Sequence, residues 1–259
     1  NLTQQVTNAA VDYINSNAHV PFFLYIAHPM PHFPVYASSK FQGSSIKGKY
    51  GDTIEELDWS VGEIIKTLFD NNLDKNTLVV FTSDNGPWIS RKLEGGSAGV
   101  LKDGKGSTFE GGFRVPCIIW GAMVKPGYIT SMGSTLDLLP TFCELVGIPL
   151  PIDRVYDGVS LLKVFTGHSN CSRNVFFYYR GSDLYAVRKG AFKAHFCFKS
   201  AYGNDEKIIY EKPALYNLDL DPEERYDISN SYPEIVDDLK NVAQEHLLSF
   251  EVAESIFDK

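Results

Sequence analysis

The sequence predicts an α/β protein followed by a smaller α+β domain, and three observations support that class. Three largely apolar runs of strand length, Pro21–Ala27 (PFFLYIA), Thr77–Asp84 (TLVVFTSD) and Val115–Ala122 (VPCIIWGA), read as strands buried on both faces, the pattern of parallel sheets. Between the first two lies a segment of helical periodicity, so together they form a β-α-β unit of the length a crossover requires. After Pro149 and Pro151 the pattern changes to short, aromatic-rich, alternating segments, which suits a small antiparallel sheet.

The first strand, near 21–27, ends in a Pro- and His-rich loop, HPMPHFPVY. In TIEELDWSVGEIIKTLFDNN, Ile54, Leu57, Val61, Ile65 and Leu68 fall at helical spacing and predict a helix over about 53–70. Thr53 and Glu56 fit a capping box at its start, and Asn71-Asn72 a stop. The second strand, near 78–84, opens onto a glycine-rich segment, Gly86–Arg114, long enough to be functional. A third strand near 115–121 completes a mainly parallel sheet. STLDLLPTFCELVG reads as a helix with Asp137 near its N-terminus, Pro140 in the first turn and Gly147 as its C-terminal cap. NVFFYYR, LYAVRKG, FKAHFCFK and PALYNLDL supply the antiparallel strands, and YPEIVDDLKNVAQEHLLSF a closing amphipathic helix. The expected division is an α/β piece over residues 1–160 and the α+β domain over 161–259.

With 259 residues, 44% of them hydrophobic, the chain can build a sizeable core. A net charge of −8 argues against a general nucleic-acid binder, so an anionic substrate must be met by locally placed cations. Cys117, Cys143, Cys171 and Cys197 are widely spaced with no CxxC or CxxH pattern, which argues against structural zinc. Asn1-Leu2-Thr3 and Asn170-Cys171-Ser172 are N-glycosylation sequons and favour a lysosomal or secreted protein. There is no signal peptide, no starting Met and no apolar run near the ~18–20 residues of a membrane span, so a processed or partial chain is expected.

Asp84 and Asn85 close the second strand. As ordinary turn formers they need no function. As hard oxygen donors at the carboxyl end of a parallel strand they suit Ca²⁺ or Mg²⁺, with further oxygens required. Lys105 in DGKGSTFEGG is either a solvated loop lysine or an ammonium aimed at an anion, its flanking glycines permitting close backbone approach. His28 and His32 follow the first strand, where a histidine is structural, solvated or part of a site.

In their order and spacing, PFFLYIAHPMPHFP, YGDTIEELDWSVGEI, LVVFTSDNGP, GKGSTFEGGFRVP, DLLPTFCELVGIPLP, FKAHF and LYNLDLDPEERYDIS together resemble the sulfatase family, in its animal arylsulfatase-like branch. The resemblance covers nearly the whole chain. It implies the alkaline-phosphatase-like fold and a sulfate-ester substrate. It also implies that Asp84 and Asn85 are ligands of one calcium ion, Lys105 binds sulfate, and His32 lies beside the leaving-group oxygen, all four converging on one pocket. Glu110, Gly112 and Arg114 match a loop that shapes the pocket. His195 of KAHF either reaches the pocket from the small domain or is a core histidine. Related phosphatases and phosphodiesterases carry a His after the Asp, where Asn85 stands here.

The formylglycine motif of the family, C-x-P-S-R, is absent around all four cysteines, as are the family's tandem Asp pair, motif arginine and the Lys and His that follow it. The chain therefore resembles the C-terminal portion of a sulfatase, with the N-terminal half as its missing partner. The formylglycine and the remaining calcium ligands are expected upstream. A non-catalytic sulfatase-like binding protein and a phosphoryl-transfer enzyme of the same superfamily are the alternatives; homo-oligomerisation is open.

Overall fold

The computed structural model describes residues 2–170, 173–202 and 205–251. Its contacts divide into two compact units. The first comprises Asn1–Phe81, Trp88–Ser97 and Cys117–Val124; the second comprises Thr82–Pro87, Ala98–Pro116 and Lys125–Lys259.

In the first unit, helix α1 (Leu2–Asn17) packs on helix α2 (Gly48–Asp70). The buried stripe of α1 is Thr3, Thr7, Ala10 and Ile14, a seam at helical spacing that is half threonine. Thr7 Oγ1 lies 2.6 Å from Ser60 Oγ of α2, so this buried hydroxyl is satisfied across the helix pair. The apolar half, Ala10 and Ile14, meets Ile64 and Leu68.

Helix α2 starts five residues earlier than its periodicity predicts, and the expected capping box does not form. The Thr53 hydroxyl turns back to the Lys49 carbonyl (2.8 Å), while Glu56 accepts the Ser38 N–H (2.8 Å) and Asp52 those of Gly43 and Ser45 (both 2.9 Å). The carboxylates of the first turns thus hold the preceding loop. Asn71 caps the other end as expected.

The two strands of the first sheet, β1 (Val79–Thr82) and β2 (Cys117–Trp120), pair with each other. The expected first strand does not form: residues 21–27 run without a ladder partner among the described residues. Nor are they buried on both faces. Phe22, Leu24 and Ile26 pack on the α1–α2 core, whereas Phe23 and Tyr25 are 71% and 80% exposed. A strand is defined by its neighbour's N–H and C=O groups, and apolar sequence alone does not supply them.

In the second unit, a single helical turn, α3 (Glu110–Phe113), precedes a capping box that Ser134 and Asp137 form ahead of α4 (Leu138–Val146), which ends on Gly147 at φ 71°. The Asp137 carboxylate is buried and also accepts the Val159 N–H (2.9 Å) and a fork from the Arg173 guanidinium, whose Nε lies 3.0 Å away. A short helix α5 (Leu162–Phe165) follows α4.

Strands β3 (Val175–Arg180), β4 (Asp183–Lys189), β5 (Phe192–Phe198) and β6 (Ile208–Asn217) form the expected antiparallel sheet in sequential order. Register aligns Val187 with Ala194 and Ala194 with Leu215. These three fully buried residues pack against Val236, Leu239 and Ala243 of the closing helix α6 (Pro233–Leu248). Because strand side chains alternate, the neighbours of this row point to the other face. There the register sets Arg188 beside Lys193 and Lys193 beside Tyr216, with His195 two residues along.

Asp137→Ala would remove the carboxylate that balances the buried Arg173 guanidinium and free two backbone N–H groups, those of Ser134 and Val159. The expected loss is about 3–5 kcal/mol, read as a lowered urea midpoint with an unchanged slope.

Candidate active site

The turn after β1 is held by its backbone. Gly86 N–H donates to Gly112 O (2.9 Å), and Lys105 N–H donates to Pro87 O (2.8 Å). These bonds bring the Lys105 backbone onto the turn that carries Asp84 and Asn85. The contact is close enough to require glycine: a Cβ on Gly86 would stand 1.8 Å from Gly111 O, and one on Gly112 would stand 2.2 Å from Ser107 O. Asp84 is exposed, while Asn85 and Lys105 are half-buried. Asn85 Nδ2 donates to Gly86 O (2.8 Å), which leaves Oδ1 as the acceptor for a cation.

His32 belongs to the first unit, the other three residues to the second. It is exposed, and its Nδ1 lies 2.7 Å from Phe33 O. A carbonyl only accepts, so Nδ1 carries a proton and Nε2 is the nitrogen left for chemistry. Its ring sits 5.7 Å from that of Trp88, and the Arg91 guanidinium covers both Trp88 (4.3 Å) and Phe33 (4.5 Å). His28 lies deeper; Nε2 is 3.3 Å from Ser60 Oγ, and burial pulls its pKa down.

His195 is buried in a charged cluster that the sequence does not announce. Its Nε2 donates to Glu224 Oε1 (2.8 Å), and its Nδ1 has no hydrogen-bond partner. Lys193, with no solvent exposure, reaches Thr108 O (2.8 Å), Glu110 Oε1 (3.0 Å) and Glu224 Oε1 (3.1 Å). Tyr178 Oη donates to Glu110 Oε1 (2.8 Å). Sequence reading missed Lys193, Glu224 and Tyr178. The available signal was the i, i+2 spacing of Lys193 and His195, which puts both on one strand face.

Among the described residues, no group of three or more His, Cys, Asp and Glu side chains could hold a metal ion. Asp84 and Asn85 offer the hard oxygen chemistry that calcium prefers but too few ligands for a complete site. Asn170 is exposed just beyond α5; Asn1, Cys171 and Ser172 lie outside the described residues. No helix among the described residues is long and apolar enough to cross a membrane.

The sulfatase family model matches residues 1–148, and the model for the C-terminal region of aryl-sulfatase matches 171–259. The chain belongs to the sulfatase family. It is 39% identical to mouse (Mus musculus) N-acetylgalactosamine-6-sulfatase over 95% of its own length and 52% of that protein. It is 37% identical to bovine (Bos taurus) arylsulfatase A over 88% of its length and 48% of that protein. The solved PsFucS1 sulfatase from Pseudoalteromonas sp. superposes with a TM-score of 0.87 at 26% identity, covering 95% of this chain and 52% of that one. The fold is thus the alkaline-phosphatase-like fold of sulfatases. The chain spans about half the length of the curated relatives it matches.

His195 sets a pH limit on stability. Burial lowers its pKa to about 4, the Glu224 hydrogen bond opposing and the Lys193 charge assisting. The unfolded chain takes up this proton as pH falls through 6.5, whereas the folded chain keeps the ring neutral until about pH 4. Burial pushes Glu224 up, but the His195 bond and the Lys193 charge outweigh it and hold the carboxyl below its usual range. Its contribution is likewise lost as pH falls through its folded value. Urea unfolding should show stability falling by roughly 3 kcal/mol from pH 7 to pH 4 through His195, and His195→Gln should flatten that portion. A flat wild-type profile would refute a neutral buried imidazole.

Proposed function

We propose that this chain is the C-terminal portion of a sulfuric ester hydrolase and supplies part of its calcium site and the leaving-group side of its pocket. The observation that supports this most is the bond from Lys105 N–H to Pro87 O, which fastens the candidate sulfate-binding lysine to the Asp84-Asn85 turn. In this reading Asp84 and Asn85 Oδ1 would hold calcium together with oxygens from outside the chain, and the ion would supply fixed positive charge for an anionic substrate. The Lys105 ammonium neutralises charge on the sulfate oxygens. His32, with Nδ1 committed to Phe33 O, is the general acid, and its imidazolium gives the Nε2 proton to the departing oxygen. The nucleophile, a formylglycine hydrate, comes from the half of the enzyme outside this chain. We assign His195 to the support behind Lys105. The names of the relatives favour a sugar or aryl sulfate as substrate, and the sequon at Asn170 favours a lysosomal or secreted protein with a glycan at that residue.

The test is an arylsulfate assay on the chain alone and on the chain joined to its upstream half. The chain alone should not turn over, because none of its cysteines lies in a C-x-P-S-R context. Robust turnover by it would overturn the assignment of the nucleophile. In the joined enzyme, calcium chelation should abolish activity, and Lys105→Ala should lower kcat by about 10²-fold or more. His32→Ala should cost most with poor leaving groups and least with nitrophenyl sulfates, since those need little proton assistance.

A further inference from the structure

We infer that Glu224 and Lys193 are positioning residues for Lys105: the buried ion cluster of the small sheet fixes the loop that carries the sulfate-binding ammonium. This rests on the sulfatase reading of Lys105. Glu224 lies on the turn after β6 with no solvent exposure and φ 51°, a left-handed conformation that a non-glycine residue adopts at a cost. Its backbone carbonyl accepts from Lys102 Nζ (2.9 Å), three residues before Lys105. Its Oε2 accepts the Glu110 N–H (2.7 Å), five residues after Lys105. Its Oε1 is shared by His195 and Lys193, and Lys193 continues to Thr108 O. One turn therefore grips the loop on both sides of Lys105.

The loop closes on itself between these grips. Gly111 N–H donates to Lys102 O (2.9 Å), and Gly86 N–H and Lys105 N–H tie it to the Asp84-Asn85 turn. Buried ion pairs are poor devices for stability alone, because apolar side chains of similar volume do as well or better. What this cluster adds is direction. It pins named backbone atoms of a glycine-rich loop whose helix is a single turn, Glu110–Phe113. A shift of about 1 Å in a charge-stabilising group is enough to cost orders of magnitude in rate.

The experiment uses Glu224→Gln, nearly isosteric, with two readouts. In the full chain, hydrogen exchange should speed up at least tenfold at the amides of Gly86, Lys105, Glu110, Gly111 and Gly112, while β3–β6 stay protected. In the chain joined to its upstream half, kcat for an arylsulfate should fall at least tenfold. The double variant Glu224→Gln/Lys105→Ala should be no slower than Lys105→Ala alone, because Glu224 acts through Lys105. If Glu224→Gln loses sheet protection and does not fold, Lys193→Met, which removes the bonds to Thr108 and Glu110, takes its place in both assays. Unchanged loop exchange in a folded variant, or additive losses in the double variant, would overturn the inference. An inactive wild-type joined enzyme would overturn the sulfatase reading instead, and the exchange data would still decide whether the cluster positions the loop.

Discussion

Lys193 and Glu224 meet 3.1 Å apart with no exposure to water, and the geometry of the second unit follows from satisfying them. Each charge has lost its hydration and must recover the energy from partners. Glu224 collects the Glu110 N–H, His195 Nε2 and Lys193; Lys193 collects Glu110 and the Thr108 carbonyl. Glu110 in turn takes the Tyr178 hydroxyl and lies 3.4 Å from the Arg188 guanidinium. The loop from residue 98 to 116 cannot slide without stranding several of these groups at once.

The small sheet does two jobs with its two faces. The face of Val187, Ala194 and Leu215 is an ordinary apolar core under α6. The opposite face carries Tyr178, Arg188, Lys193, His195 and Tyr216, side chains that reach and orient. The same strand alternation that makes the core also aims the cluster, so one register error would misplace both. The stretch of buried backbone at Gly86, Gly111 and Gly112 completes the arrangement from the other side, since any Cβ there would collide with a carbonyl oxygen.

Helices α2, α4 and α6 and the antiparallel strands were legible because periodicity reports which side of an element meets a core. Asp137, Pro140 and Gly147 marked the boundaries of α4 through backbone chemistry confined to a few residues. Helix α1 was missed because two of its four buried positions are threonines, and the burial of one of them, Thr7, is matched by Ser60 on another helix. Thr53 and Glu56 misled for a related reason: the pattern of a local cap was present, but Glu56 serves Ser38, a residue 18 positions away.

By itself the sequence determined the class of fold, the antiparallel strands and most of the helices, and it offered Asp84, Asn85, Lys105 and His32 as candidates by the chemistry of their side chains. Tertiary structure alone decided where the buried charges go. Lys193 reaches Thr108 across 85 positions and Glu224 reaches Glu110 across 114. It also decided that Pro21–Ala27 covers the α1–α2 core with one face and leaves Phe23 and Tyr25 exposed on the other. Local pattern carries propensity and periodicity, which a few neighbouring residues set. Pairing of charges and strands depends on atoms far along the chain, and only the folded backbone brings those within a few ångströms.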